Sequence, residues 1–523
     1  MTRTAPAMTR REVLEAISGI LLGVFVSLLA TTIVSTSLPR IVADLEGSQH
    51  AYTWVVTAML LTTTISTPVW GKLADLLDRK ALIQVALVVT VVSAAAAGFA
   101  QSMGVLIGFR ALQGVGAGGL MALATVLMSD IISPRERGRY MGLMGGVMAV
   151  AQIGGPLLGG VVTDAFGWRW NFFIGVPFAV AALVVLHKTL HLPARERRTP
   201  RIDYVGATLI SLGVALLLVW VTFAGDRFAW ASWQTAAMVG AAVVALVAAV
   251  LVERVAAEPI IPLGLFRNRT FVLSVVASAA VGVAMFGTAV FLSQYLQLSR
   301  GKTPTESGLL TIPMVVGTML AGIVLGRIIS ATGRYKAIMV GGGVVLVASL
   351  LGMSTIGTDT SFVLVSAYLF GLGLSVGALM QNLVLGTQNT LDVREMGAGT
   401  AAVAFFRSLG GAIGVSALGA VLAHTVKTDI TRGLAEAGVP ASAVGASDGA
   451  VPDLSRVSDA VRGVVESAYA DGITQIFLLA VPMALVALVA VCFLREVPLG
   501  ERSGIEQLRE LQDAGQPTGS SQA

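Results

Sequence analysis

Charge is what this sequence has least of. Only 12% of its 523 residues are Asp, Glu, Lys or Arg, against 55% hydrophobic, whereas a soluble domain carries about a quarter charged residues. So little charge excludes a soluble enzyme and makes a bilayer the expected solvent. Cysteine is nearly missing too: Cys492 stands alone, so no intrachain disulfide can form. Histidine is scarce at four residues. His187 and His191 fall on one face at the end of an apolar run and read as groups favoured by a helix C-terminus, so no metal site is expected. The sequence has no phosphate-cradling Gly-rich loop, no nucleophile elbow and no paired catalytic carboxylates. It is therefore not read as an enzyme or as directly ATP-driven, and no cofactor is expected. The net charge is +5, yet the bases are spread over loops rather than gathered into a nucleic-acid patch. No cleavable signal is expected, since residues 1–16 are polar and basic and the next apolar run is too long for one.

What is present is a series of apolar runs about 20 residues long, the length that crosses hydrocarbon as a helix. Barrel strands would alternate apolar and polar instead. The runs fall near 17–38, 52–71, 81–100, 104–128, 139–162, 171–190, 203–223, 234–253, 270–296, 306–329, 337–356, 362–389, 399–424 and 472–494. These fourteen spans put both termini on one side and make the chain an all-α polytopic membrane protein. With the N-terminus in the cytoplasm, 24 Lys and Arg fall on cytoplasmic segments and 9 on outer ones, as the positive-inside rule requires. Arg110 and Arg407 lie within spans. The long outer segment 425–471 holds seven acids and four bases and, with its Pro, Ser and Gly, reads as a partly flexible loop.

A repeat organises these spans. Gly71-Lys72-Leu73-Ala74-Asp75-Leu76-Leu77-Asp78-Arg79-Lys80 lies between spans 2 and 3, and Gly326 to Lys336, including Gly333 and Arg334, lies between spans 10 and 11. If spans 7 and 8 are an insertion, the two loops are equivalent in two six-helix halves. The expected division is a cytoplasmic tail 1–16, a first bundle 17–190, a basic cytoplasmic link 191–202, an inserted pair 203–253, a second bundle 270–494 and a cytoplasmic tail 495–523. The first loop fits Gly-x-x-x-Asp-x-x-Gly-Arg-Lys, in which Gly71 ends a helix against a neighbour. Asp75, Arg79 and Lys80 could form a charged latch across the halves, with Gly333 and Arg334 as counterparts.

Two further motifs carry physical weight. Span 4 contains Gly108-Phe109-Arg110-Ala111-Leu112-Gln113-Gly114. A buried Arg costs at least about 2.5–3.5 kcal/mol on insertion scales and usually faces a polar interior, so Arg110 with Gln113 is a candidate coupling centre. Span 5 carries Gly142 and then Gly154-Gly155-Pro156-Leu157-Leu158-Gly159-Gly160. Small residues allow close helix approach and Pro removes a helix bond, both suited to a moving interface.

Together these motifs resemble those of the major facilitator superfamily, and specifically its fourteen-helix drug:proton antiporters of the EmrB/QacA type. Gly167-Trp168-Arg169-Trp170-Asn171-Phe172-Phe173, Asp203-Tyr204-Val205-Gly206 and Phe405-Phe406-Arg407-Ser408-Leu409-Gly410-Gly411 extend the match over roughly residues 15–495. The resemblance implies two six-helix bundles plus two extra helices between them, in a bacterial plasma (inner) membrane. It also implies export of small lipophilic drugs or antibiotics in exchange for protons by alternating access. The lipid bilayer is the expected surrounding partner, nucleic acid is not a partner, and a monomer is expected.

The sequence departs from the pattern in helix 1. Relatives usually carry an intramembrane Asp there, and here Ala30 takes its place before Thr31-Thr32-Ile33-Val34. No other acid falls at mid-span, so Asp44, Asp130 and Asp203 near span ends are the candidates for protonation coupled to Arg110. Asp78 stands where the latch pattern prefers Gly, and Ser330 where its repeat has Asp. Cargo contacts are expected from Thr31, Thr32, Thr36, Thr57, Thr62, Thr63 and Thr64 on helices 1 and 2. Gln294, Tyr295 and Gln297 on helix 9, Gln381, Asn382, Gln388 and Asn389 on helix 12, and Arg407 extend the set. Met314, Met319 and Met380 could form an adaptable wall. Each Thr could equally bond its own helix, and each amide could bridge helices. An exporter of one endogenous metabolite, lipid or self-made antibiotic remains an alternative, as does a sensor that has lost transport.

Overall fold

The computed structural model describes residues 10–131, 134–189, 203–224, 228–229, 231–256, 259, 262–391, 396–436 and 459–497. Among these, every regular element is a helix, because in hydrocarbon only intrachain bonds can satisfy the backbone. The first six long helices are α1 (Arg10–Asp44), α2 (Gln49–Leu76), α3 (Arg79–Gly98), α4 (Met103–Ile131), α5 (Pro134–Phe166) and α6 (Gly175–Thr189). A 3-10 turn, Trp168–Phe172, joins α5 to α6. Two helices follow, α7 (Tyr204–Phe223) and α8 (Trp233–Val255). The next crossing is α9 (Arg269–Gln294), continued by a π turn at Tyr295–Ser299. A broken crossing is built from α10 (Pro304–Leu310), α11 (Ile312–Leu320), a π turn at Ala321–Leu325 and α12 (Gly326–Thr332). Last come α13 (Lys336–Met353), α14 (Phe362–Gln388), α15 (Met396–Glu436) and α16 (Asp459–Cys492).

Twelve helical stretches among the described residues are long and apolar enough to cross a membrane. The helices α2 and α5, of 28 and 33 residues, lie along α4 and α1. Three boundaries differ from the sequence expectation. α1 begins at Arg10, inside the expected tail 1–16. The run expected as one helix over 306–329 is split by two segment changes, at Thr311 and at the π turn. In the segment 425–471, expected as an outer loop, the described residues 425–436 and 459–471 are helix: α15 continues to Glu436 and α16 starts at Asp459. Leu434 of α15 and Val461 and Val465 of α16 are buried in the same core, so apolar packing carries this pair beyond the hydrocarbon-length run. The link 191–202 up to Ile202, His191 within it, and the tail from 498 lie outside the described residues.

Helix pairing repeats along the chain. In the first half α1 packs along α5 and α6, α4 along α2 and α3, and α3 along α6. In the second, α9 packs along α15 and α16, α14 along α11 and α13, and α13 along α16. Each contact maps onto its counterpart by advancing eight crossings. The helices α7 and α8 pair with each other, and α7 rests on α15 and α2. The closest crossings are made the same way in both halves. A Cβ added at Gly155 or Gly159 would overlap Thr32 or Ile33 of α1, and one at Gly410 or Gly414 would overlap Ala279 or Val283 of α9. Glycines four residues apart stack on one helix face and let two backbones touch. Gly410→Val should cost about 1–3 kcal/mol by overpacking against the Ala279 carbonyl, read as a lowered melting temperature of the detergent-solubilised protein.

Candidate functional site

The two halves meet from one end of the bundle to mid-depth, where Leu61 and Ile65 of α2 pack with Leu409 and Ala412 of α15 and with Leu218 of α7. We call the end where α1 starts proximal and the end where it finishes distal. The largest core takes its first-half members from distal positions: Ile33, Val34, Leu38, Ile41 and Val42 of α1, and Tyr52 and Val55 of α2. They pack with Val290, Phe291 and Tyr295 around α9. At the proximal end the cores are separate. One holds Ile17, Ile20, Leu82, Leu123 and Leu186, all from the first half. Another holds Leu265, Phe271, Val275, Ala402 and Val403, all from the second. The described molecule is therefore sealed distally and divided proximally.

Neutral polar contacts reinforce the distal seal. Gln49 and Gln294 exchange hydrogen bonds between their amides across the halves, with Gln49 Nε2 donating to Gln294 Oε1 at 3.1 Å and Gln294 Nε2 donating to Gln49 Oε1 at 2.6 Å. Both side chains are buried. The Tyr52 hydroxyl donates to the Val290 carbonyl at 2.8 Å. Gln297 Nε2 donates to the Thr36 carbonyl, and Thr57 and Ser416 hydroxyls pair at 3.2 Å. Asp164 at the end of α5 accepts from both the backbone N–H and the hydroxyl of Thr305 in α10. Beneath this seal Asn171 donates to the Gly159 carbonyl at 3.2 Å and to Thr163 Oγ1 at 2.7 Å, and it also bonds Ser37. Gln49, Tyr52 and the Asp164–Thr305 pair were not singled out from the sequence. Their signal was polar residues in the first turn of one crossing and the last turn of another, a pattern that turn residues also produce.

Arg110 is 2% exposed in α4. Its NH1 donates to Gln113 Oε1 at 2.8 Å and to the Ala30 carbonyl at 3.4 Å, and its Nε donates to the Val55 carbonyl at 3.5 Å. The guanidinium thus lies against the position where an Asp was expected, and it is held by dipoles rather than by a carboxylate. Gln113 is buried, and its Nε2 has no hydrogen-bond partner. None of the three candidate acids is brought to Arg110. Asp44 accepts from Trp168 Nε1 at 2.9 Å and Arg169 NH1 at 3.0 Å. It lies fourteen residues beyond Ala30, roughly 21 Å along α1. Asp203 caps α7 by accepting from the Gly206 N–H at 2.7 Å. Asp130 is in α4 twenty residues past Arg110, roughly 30 Å away, and its side chain lies outside the described residues.

The remaining candidates divide between structural bonds and open positions. Thr31 donates to the Ser27 carbonyl at 2.8 Å, Thr32 to Leu28 at 2.9 Å and to Ala151 at 3.1 Å, and Thr63 to Gly114 at 3.1 Å. The Thr31 hydroxyl thus stays within its own helix, whereas those of Thr32 and Thr63 tie helices together. Asn382 is buried and donates to the Ala378 carbonyl at 2.6 Å, and Gln388 donates to Thr400 at 2.9 Å. Gln381 is exposed and Arg407 partly exposed. In the proximal segment expected to form a latch, Arg79 donates to the Ala74 carbonyl at 2.8 Å, Lys80 to the His187 carbonyl at 2.6 Å, and Asp78 caps α3, all bonds within the first half. Gly333 closes α12 at φ 66°, a conformation that favours glycine, and Arg334 is exposed beside it. The side chains at Gly71, Asp75, Gly142 and Ser330 lie outside the described residues. In α5, Gly155 and Gly159 press on α1 and Gly160 presses on Pro304 and Thr305 of the opposite half, while the Pro156 carbonyl accepts from Thr36 at 3.3 Å. Gly160→Val should wedge α5 from α10 and loosen the distal seal. In a Cys492→Ser background, a cysteine introduced by Ser293→Cys should then react with an impermeant maleimide at least about tenfold faster than in the parent, as expected if about 1.4 kcal/mol of seal is lost.

Residues 20–415 match the Major Facilitator Superfamily. An MFS-type transporter of Mycobacterium tuberculosis is 38% identical over 482 residues, covering 92% of this chain and 69% of the relative. The "Multidrug transporter protein MdtP" of Bacillus subtilis is 34% identical over 407 residues, covering 78% of this chain and 74% of the relative. Among solved structures, a bacterial homologue of the human lysosomal transporter Spinster, described as inward-facing and unoccupied, superposes with TM-score 0.66 at 14% identity, covering 92% of this chain and 97% of that one. The repeated helix pairing, the glycine crossings and the matched sequence have one explanation: this chain is a polytopic membrane transporter of the major facilitator superfamily.

Proposed function

We propose that the protein is a fourteen-span efflux pump of the drug:proton antiporter type, exporting small lipophilic compounds from a bacterial cell by alternating access. The observation that carries this reading is the asymmetric seal, with joined cores and neutral bonds distally and separate cores proximally. A midplane site between two rocking bundles needs such a pair of alternately closed ends. With the N-terminus in the cytoplasm, as the distribution of bases favours, the proximal opening faces the cell interior and the state is ready to load cargo. The α7–α8 pair then sits outside the two six-helix bundles as an insertion. Protons are the proposed coupling ion, and the monomer is the proposed transporting unit. The name of the Bacillus subtilis relative, a multidrug transporter, supports a drug-like cargo.

Arg110 has its role in holding α1, α2 and α4 together at the position of Ala30. Its three bonds tie the first bundle at mid-depth, and the loss of a guanidinium there would leave Gln113 without its partner. The test is reconstitution in liposomes with an acidic lumen and a trapped pH dye, followed by addition of lipophilic cations and neutral antibiotics. Proton release dependent on added compound, and reduced about tenfold or more in Arg110→Ala, is the expected result. Compound movement without proton movement would overturn the antiport assignment while leaving transport intact.

A further inference from the structure

Two cations and no acid lie at mid-depth in the sequence, Arg110 and Arg407. The first is sealed against carbonyls and the Gln113 amide. The second is different. Arg407 is partly exposed in α15, and among the described residues no hydrogen bond or ion pair engages its guanidinium. Its backbone carbonyl presses on Gly282 of α9. Thr400, two turns earlier on the same face of α15, accepts from Gln388 of α14 at 2.9 Å. That face therefore looks onto α9 and α14. The two helices run antiparallel, so seven residues back along α14 and seven forward along α15 bring Gln381 level with Arg407. Gln381 is exposed and also without a hydrogen-bond partner among the described residues, whereas its neighbour Asn382 is buried and bonded to its own helix. An unpaired amide and an unpaired guanidinium do not face hydrocarbon at mid-span. They lie in the half of the bundle that is divided proximally.

We propose that Arg407 and Gln381 form a cargo subsite for an oxyanion, so that the exported compounds are lipophilic anions carrying a carboxylate, sulfonate or phosphate. This rests on the efflux reading and narrows its substrate class. A guanidinium offers a planar fork of donors that matches two oxygens of such a group, and the Gln381 amide can donate a further bond. The inverse argument has equal force. A lipophilic cation entering this site would find a like charge and no acid to neutralise it, since Ala30 occupies the place where one was expected. An anion also suits the energetics of the missing acid. An inside-negative potential drives a monoanion outward without any protein carboxylate, sustaining a gradient of roughly fifty-fold per 100 mV.

The test uses inside-out membrane vesicles containing the full-length chain, offered taurocholate and fusidate as anions, chloramphenicol as a neutral compound and ethidium as a cation. The wild type is expected to accumulate at least one anion. Arg407→Ala should cut that accumulation about tenfold or more, the effect of losing a charge-assisted pair, and should lower anion accumulation by a larger factor than any chloramphenicol uptake. Arg407→Lys should retain part of the anion transport, and Gln381→Ala should lower it several-fold. If Arg407→Ala does not reach the membrane, Arg407→Lys and Gln381→Ala decide the outcome by the same criterion. Accumulation of ethidium or chloramphenicol without either anion would overturn the anion subsite and leave the efflux reading standing. Anion accumulation unchanged by every variant would do the same. No accumulation of any compound would overturn the efflux reading and the subsite with it.

Discussion

The close contact of bare backbones holds this molecule together. Lipid removes the usual reward for burying apolar side chains, because a leucine facing a neighbour gains little over one facing an acyl chain. What remains is dispersion between surfaces that fit and hydrogen bonds that have no competitor. Gly155 and Gly159 against α1, and Gly410 and Gly414 against α9, supply the fit within each half. Gly160 and Gly308 supply it between the halves, where α5 and α10 touch at Pro304, Thr305 and the Pro156 carbonyl. Glycine at these positions leaves the helices free to roll, since no side chain interlocks. The same substitution-sensitive surface is therefore both the glue and the bearing.

Hydroxyls complete that surface. Thr32 spans from its own helix to the Ala151 carbonyl, Thr62 from α2 to the Ala111 carbonyl at 2.7 Å, and Thr36 to Pro156. Each threonine shares one proton between an intrahelical and an interhelical acceptor. Such bonds are weak singly, and a neighbouring helix can slide by a fraction of a turn while its partner keeps the intrahelical bond. A bundle stitched this way can change shape without stranding a polar group in hydrocarbon.

The crossings and the contact glycines were legible in the sequence because their causes are local: run length, small residues, and proline in a span. Residues 306–329 could be read as one crossing, but the π turn at Ala321–Leu325 could not be read, and it lies where Ala321 approaches Gly377 of α14, a contact that needs both helices in place. The helical continuation of α15 and α16 was hidden by polar composition. Leu434, Val461 and Val465 make an apolar seam only when the two segments of chain are brought side by side. The threonines were legible as polar groups, but their bonding partners were not, because a hydroxyl's partner depends on which helix lies opposite. Gln294 illustrates the same limit. It reads as a cavity amide until Gln49, 245 residues away, is found bonded to it. Arg110 was legible as a buried cation, but that its supports are the Ala30 and Val55 carbonyls needed three helices to be placed at once.

The Gln49–Gln294 pair and its neighbours give the distal closure an unusual electrical character. No contact across that seam joins two opposite full charges among the described residues: amides, hydroxyls and carbonyls meet one another, and Asp164 meets only neutral donors. Dipole–dipole forces fade within a few ångströms, while forces between ions reach to the Debye length and are screened by salt. The free energy of parting this end should therefore be nearly blind to the ionic strength of the medium that bathes it. A pump closed in this manner would keep its resting leak constant in fresh water and in brine alike.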